Sequence, residues 1–280
     1  MPRTKRGPAF WLLAAFFALF VLFLYGPTIT IVILSFQGPS GGLTFPMRGV
    51  SFHWFGNLFE KQMVGDFAGS FQRSMILGIA TMAVTVLLSF SAGLAFRKRF
   101  IGSTLVFYLA IASLIVPSIL ISLGIGLLYR VMGLDAAWYS SAFGAHLTWT
   151  LPFGLLIMFA VFNRFDRRYE EAARDLGATS WQTVRHVIVP ILLPSLIGVG
   201  LFGFTLSYDE FARSLYTAGT FNTLPLEIYG MTTNVTTPVL YALGTVTTAV
   251  SFLVIGLALA SFTLVRRRRA RHGSDAGKAA

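Results

Sequence analysis

Six stretches of this chain are too long and too uniformly apolar to pack inside one water-soluble core. They cover residues 9–36, 74–96, 103–128, 145–162, 187–207 and 240–265. Each is near the roughly 20 residues that a helix needs to cross a bilayer. The first follows a short basic start (Arg3, Lys5, Arg6), as a secretory signal does. A signal's apolar region is only roughly 7–15 residues long, about half of this run. The run therefore reads as an uncleaved first span, kinked at Pro27. Pro117 lies near the middle of the third run and Pro152 inside the fourth. Pro190 and Pro194 open the fifth, where a helix's first turn tolerates proline. The predicted fold class is all-α: a polytopic membrane protein with six transmembrane helices.

Composition agrees. The chain is 55% hydrophobic and 12% charged, with mean hydropathy +0.71, whereas soluble domains are about a quarter charged. The net charge of +11 would point to nucleic acid in a soluble protein. Its distribution points elsewhere. With six spans, 17 of the 22 Lys and Arg fall on the side that holds both termini, and 5 fall on the other. Lys and Arg collect on the cytoplasmic side. Residues 1–8 and 266–280 are therefore expected in the cytoplasm, flanking a transmembrane domain over 9–265. The basic, then small and polar, tail is expected to be disordered. Its four arginines, 266–269, could hold anionic headgroups. Nucleic-acid binding is not needed to explain the charge.

The segment 51–61 alternates aromatics with polar residues and reads as a short helix at headgroup level. His53 there has no second ligand at metal spacing. With no cysteine in the chain, neither a disulfide nor a cysteine-based metal site is possible. No G-x-x-x-x-G-K-[ST], H-E-x-x-H or G-x-S-x-G occurs. The chain thus reads as a non-enzyme without a cofactor. Energy for uphill transport would have to come from a partner or an ion gradient.

The most densely charged segment between two apolar runs spans 162–194. Residues 166–176 are good helix formers. Gly177 sits where a helix ends in a left-handed residue. Thr179 to Gln182 has the T-x-x-Q spacing that starts a new helix. The product is a helical elbow over 163–190. Glu171-Ala172-Ala173, three residues, Gly177, nine residues, then Val187-x-Val189-Pro190 resembles the EAA loop of permease subunits of bacterial ABC importers. Val stands for the Ile and Leu of that pattern.

The second informative stretch is 204–231. Tyr208, Asp209 and Glu210 close the fifth run, and ionisable groups there are candidates for a pathway. An alternative is an exposed i,i+4 pair of Asp209 with Arg213. Tyr208 also fits an interfacial anchor. The S-x-D-[DE] element followed by Leu224-Pro225-Leu226-Glu227-Ile228-Tyr229 is similar to the spermidine/putrescine (polyamine) branch of the same permeases.

The resemblance implies a type I ABC importer permease in the bacterial inner membrane. It implies a second, non-identical permease subunit, two copies of a cytoplasmic ATPase that holds ATP and Mg, and an extracytoplasmic substrate-binding protein. Glu171, Ala172, Ala173, Arg174, Asp175, Gly177 and Pro190 would couple the chain to the ATPase. Asp209, Glu210, Tyr208 and Glu227 would line or rim the path of a small cation, carboxylates neutralising ammonium groups. The rival expectation is a secondary transporter or channel driven by an ion gradient. That class places ionisable residues at mid-span, and the six runs hold almost none.

Overall fold

The computed structural model describes residues 7–60, 65–98, 100–234 and 237–276. Arg3, Lys5, Arg6, Lys61, Arg99 and Lys278, which enter the charge count, lie outside them. The described residues form helices and one isolated bridge, Gln37 with Val50. In chain order the helices are α1 (Pro8–Leu34), α2 (His53–Gly56), α3 (Phe67–Phe96), α4 (Ser103–Ala112) and α5 (Ser118–Val131). Then come α6 (Phe143–Asn163), α7 (Arg168–Asp175), α8 (Ser180–Thr183), α9 (Val189–Tyr208), α10 (Leu224–Asn234) and α11 (Val239–Ala276). A wide π turn, Trp138–Ala142, leads into α6, and another, Val184–Ile188, joins α8 to α9. Among the described residues, five helices are long and apolar enough to cross a membrane.

The sixth expected span, 103–128, is not one helix. It is α4 and α5, separated by a turn that ends at Pro117. Pro117 has extended backbone, with φ −54° and ψ 129°. Proline has no N–H to donate, and its ring collides with the carbonyl four residues back. Pro27, Pro152 and Pro194 instead remain inside continuous helices. The second span begins at Phe67 rather than Ser74, because Asp66 caps it: its Oδ1 accepts from Gly69 N at 3.3 Å. Arg73, which looks like a boundary charge in the sequence, turns back to Asp66 at 3.1 Å. At the other end, α11 runs on to Ala276 where a disordered tail is expected from 266. Arg and Ala favour helix, and a helix nucleated in an apolar span extends by one hydrogen bond per residue.

Contacts divide the chain into two compact units. The first is 1–65 with 230–250. Its loop after α1 is organised by buried Gln37, whose Oε1 accepts from Arg48 N at 2.7 Å and whose Nε2 donates to Gly42 O at 3.2 Å. The expected interfacial helix is present as α2 and a 3-10 turn, Asn57–Phe59. His53 Nε2 lies 3.2 Å from Asn57 Nδ2. Tyr241 of α11 donates to Leu43 O at 2.7 Å.

The second unit is 66–229 with 251–280. Its centre is α3 packed with α6 and α9. Along α3, Ser70, Ser74, Gly78, Thr81, Thr85, Ser89 and Gly93 are buried at helical spacing. Small residues let membrane helices approach closely, and hydroxyls bond across the gap. Thr85 Oγ1 and Thr150 Oγ1 lie 2.7 Å apart. A Cβ on Gly154 would run into Ser89 Oγ, and one on Gly93 would come within 2.6 Å of the Phe162 ring. Lower down, Met158, Phe162, Ile188, Leu192, Leu196 and Val199 form an apolar cluster.

Candidate functional site

The elbow is built as its sequence dictates. At the end of α7, Gly177 N donates to Arg174 O at 2.8 Å and Ala178 N to Ala173 O at 3.0 Å. That pair of bonds is a Schellman ending, and it holds Gly177 at φ +81°. Thr179 and Gln182 then form a reciprocal capping box: Thr179 N donates to Gln182 Oε1 at 2.8 Å, and Gln182 N to Thr179 Oγ1 at 3.3 Å. From Ser180 the chain runs as one 29-residue rod to Tyr208. The π turn before Pro190 falls where proline withholds its N–H from the ladder.

Helix α7 has two unlike faces. Arg167, Glu170, Glu171 and Arg174 share one face, at i, i+3, i+4 and i+7. That face lines a cavity of about 420 Å³, with Arg97 and Lys98 at the end of α3 and Ser180 and Thr183 of α8 on the other walls. Within it, Arg97 meets Glu170 at 2.5 Å, and Arg174 meets the same carboxylate at 3.9 Å. Arg97 also lies over the rings of Phe162 and Phe165, at 5.4 and 5.5 Å. Tyr169, Ala172 and Leu176 share the opposite, exposed face, and Leu176 is 89% exposed. Trp181 is 69% exposed nearby in sequence. Ala173 is half-buried, Asp175 is exposed and Pro190 is half-buried within the rod.

The acidic turn follows α9. Asp209 is the residue after the helix's last turn, so the chain has left helical geometry before Arg213. The exposed i,i+4 pair of Asp209 with Arg213 is therefore absent. Arg213 is fully buried. It donates through Nη1 to Thr148 Oγ1 and lies 4.9 Å over the Trp149 ring. Its backbone N donates to Glu210 Oε1 at 2.9 Å. Beside it, buried His146 bridges Ser207 Oγ at 2.8 Å and Ser214 Oγ at 2.9 Å, and Ser214 Oγ donates to Glu210 O at 2.8 Å. Ser122 Oγ donates to Arg213 O at 2.9 Å, and Ser141 Oγ to Thr217 O at 2.6 Å. The turn is thus pinned to α5, to α6 and the π turn before it, and to α9.

Among the described residues, neither Asp209 nor Glu210 forms an ion pair. Burial pushes the Asp209 carboxyl above its usual range. It also raises that of Glu210, against the opposing pull of the Arg213 backbone N–H and charge. Burial lowers the pKa of Arg213, and Glu210 works against that. Tyr208 is buried rather than interfacial: its ring stacks on Phe204 at 5.6 Å and meets Phe71 edge-on at 6.5 Å.

Glu227 is committed elsewhere. Its Oε1 accepts from Asp66 N at 3.0 Å and its Oε2 from Asn222 Nδ2 at 2.8 Å. Arg73 Nε donates to Asn222 O at 2.7 Å, completing a brace between the start of α3 and the turn before α10. Sequence reasoning missed Arg97, Glu170, His146 and Arg213. Only Arg97 and Glu170 carried a signal, as opposite charges that end one span and open the elbow. The partners of His146 and Arg213 are uncharged hydroxyls, which look like any loop serine or threonine.

Residues 85–271 match the family described as "Binding-protein-dependent transport system inner membrane component". The chain is 29% identical over 264 residues to the spermidine/putrescine transport system permease protein PotC of Haemophilus influenzae, covering 94% of this chain and 99% of that one. It is 28% identical to the putrescine transport system permease protein PotI of Escherichia coli, covering 80% of each. Among solved structures, it resembles a chain of a bacterial ABC transporter that imports the acidic polysaccharide alginate. The TM-score is 0.67 at 16% identity, over 93% of this chain and 99% of that one. It also resembles a chain of the inward-facing MetNI methionine ABC transporter, with TM-score 0.58 at 16% identity, over 71% and 95%.

Proposed function

Because the chain belongs to the family of binding-protein-dependent transport system inner membrane components, we propose that it is the permease subunit through which an ABC importer passes small polyamine cations. Similarity to spermidine/putrescine permeases over nearly the whole chain supports the solute class. The observation that carries the reading is the acidic turn. Asp209 and Glu210 stand together after α9, partly buried and without an ion pair among the described residues. Carboxylates at a helix's C-terminal end face the negative pole of its dipole, so they gain most from a cation brought beside them. A polyamine brings ammonium groups on a flexible apolar chain. Tyr208 and Phe71 supply an apolar wall, and Glu227 sets the nearby turn.

The chain binds no nucleotide by this reading. ATP and Mg are held by two copies of a cytoplasmic ATPase. A second permease subunit completes the pathway, and an extracytoplasmic binding protein delivers the solute. The contact with the ATPase is the elbow. Its exposed apolar face (Tyr169, Ala172, Leu176) with Trp181 enters a groove of the motor. Ala172 and Ala173 allow close approach, Glu171, Arg174 and Asp175 flank the contact, and Gly177 and Pro190 fix the angle and root of the lever. The termini and elbow are cytoplasmic, consistent with the basic residues gathered there.

In the reconstituted complex, spermidine or putrescine delivered by the binding protein raises ATP hydrolysis above the level seen with monovalent amines. Asp209→Asn reduces that stimulation severalfold while the subunits still co-purify. Equal stimulation by all cations, or by Asp209→Asn and wild type, would remove the acidic turn from the pathway.

A further inference from the structure

The cavity under the elbow has a composition that the coupling role does not require. Four cations reach it: Arg97, Lys98, Arg167 and Arg174. Two carboxylates oppose them, Glu170 and Glu171, and Glu170 is already held by Arg97 at 2.5 Å and Arg174 at 3.9 Å. The lining therefore carries a net positive charge of two. Ser180 and Thr183 add hydroxyl donors on the wall opposite α7. Lys98 stands two residues beyond the last helical residue of the apolar span, Phe96. That places the cavity at headgroup depth. Basic pockets between the ends of membrane helices hold anionic headgroups, and Lys and Arg are the usual partners of phosphate oxygens.

We propose that this cavity binds a phosphate-bearing anion, taken from the headgroup of an anionic phospholipid or from free phosphate. The anion lies between Lys98, Arg167 and Arg174, with the Ser180 and Thr183 hydroxyls donating to it. It spans the end of α3, helix α7 and the root of the long rod. Its binding thereby ties the charged face of the elbow to two of the spans, while the exposed apolar face stays free. The site is distinct from the acidic turn and does not depend on which solute is carried.

The full chain is placed in nanodiscs of phosphatidylcholine alone or with phosphatidylglycerol, and bound lipid is counted by native mass spectrometry after release. In a parallel arm, thermal stability in phosphatidylcholine discs is followed as inorganic phosphate is added. Retention of phosphatidylglycerol over phosphatidylcholine identifies a lipid headgroup. Saturable stabilisation by phosphate alone identifies the free anion. The double variant Lys98→Gln with Arg167→Gln lowers either signal about tenfold, the effect of losing one charge-assisted contact. Arg48→Gln, in the loop after α1, leaves it unchanged.

Glu171→Gln removes a repulsive charge and strengthens binding, a gain that misfolding does not produce. The proposal is overturned if neither anion binds above the phosphatidylcholine background. It is also overturned if the double variant binds as wild type does, or if Arg48→Gln weakens binding as much as the double variant.

Discussion

At the scale of single residues, Gly177 shows how little contact is needed to fix a functional angle. No atom would crowd a Cβ there, so its requirement is purely conformational. At φ +81° an L side chain costs about 1–2 kcal/mol. Gly177→Leu should therefore leave the bundle folded yet loosen the elbow. Co-purification of the ATPase, or the ratio of uptake to ATP hydrolysed, should fall severalfold. Gly177→Asn should fall less, because asparagine tolerates the left-handed region. Wild-type coupling in the leucine variant would contradict the elbow account. Glycine after a run of helix formers and before T-x-x-Q can be read without coordinates. Arg213 is the opposite case. The sequence offers it as an exposed partner for Asp209, yet it is a buried strut, because α9 ends at Tyr208 and turns the chain inward.

At the scale of elements, the second span is set by its small and hydroxyl residues as much as by its hydropathy. Gly154 of α6 packs on Ser89 and Thr85 of α3 with no room for a methyl group. Gly154→Ala should destabilise the unit by about 1–3 kcal/mol, the usual cost of overpacking, seen as a lower melting temperature in detergent. Adding Ser89→Gly removes the group in the way and should restore part of the loss. Additive losses in the double variant would show that the two residues do not share one contact. Helix α7 gives the complementary lesson. Its charges mark it as a surface helix in the sequence. Only its packing shows that Arg167, Glu170, Glu171 and Arg174 turn toward the cavity and leave an apolar face outside.

At the scale of the whole molecule, the question is what drives transport. A gradient-driven carrier keeps ionisable groups at mid-span to bind its coupling ion. Here the ionisable groups of the acidic turn lie after a span's end, and His146, inside a span, is occupied by Ser207 and Ser214. Uptake in cells should stop when ATP is depleted and persist when a protonophore collapses the ion gradient. The reverse result would favour the carrier. Family membership and the match of the whole length to importer permeases agree with the first outcome.

The sequence by itself determined the solvent, the helical class, the elbow with its glycine and its capping box, and the clustering of acids after the fifth run. These rest on local rules: hydropathy over about 20 residues, backbone freedom at one glycine, and side chains that cap helices a few residues away. Tertiary structure decided what depends on residues far apart in the chain. It broke the third run at Pro117, joined Arg97 to Glu170, sank Arg213 and His146 among hydroxyls, and tied Glu227 to Asp66. Those outcomes turn on which side chains meet across helices, and hydrogen-bonding partners such as serine and threonine carry no mark in sequence of the neighbour they will find.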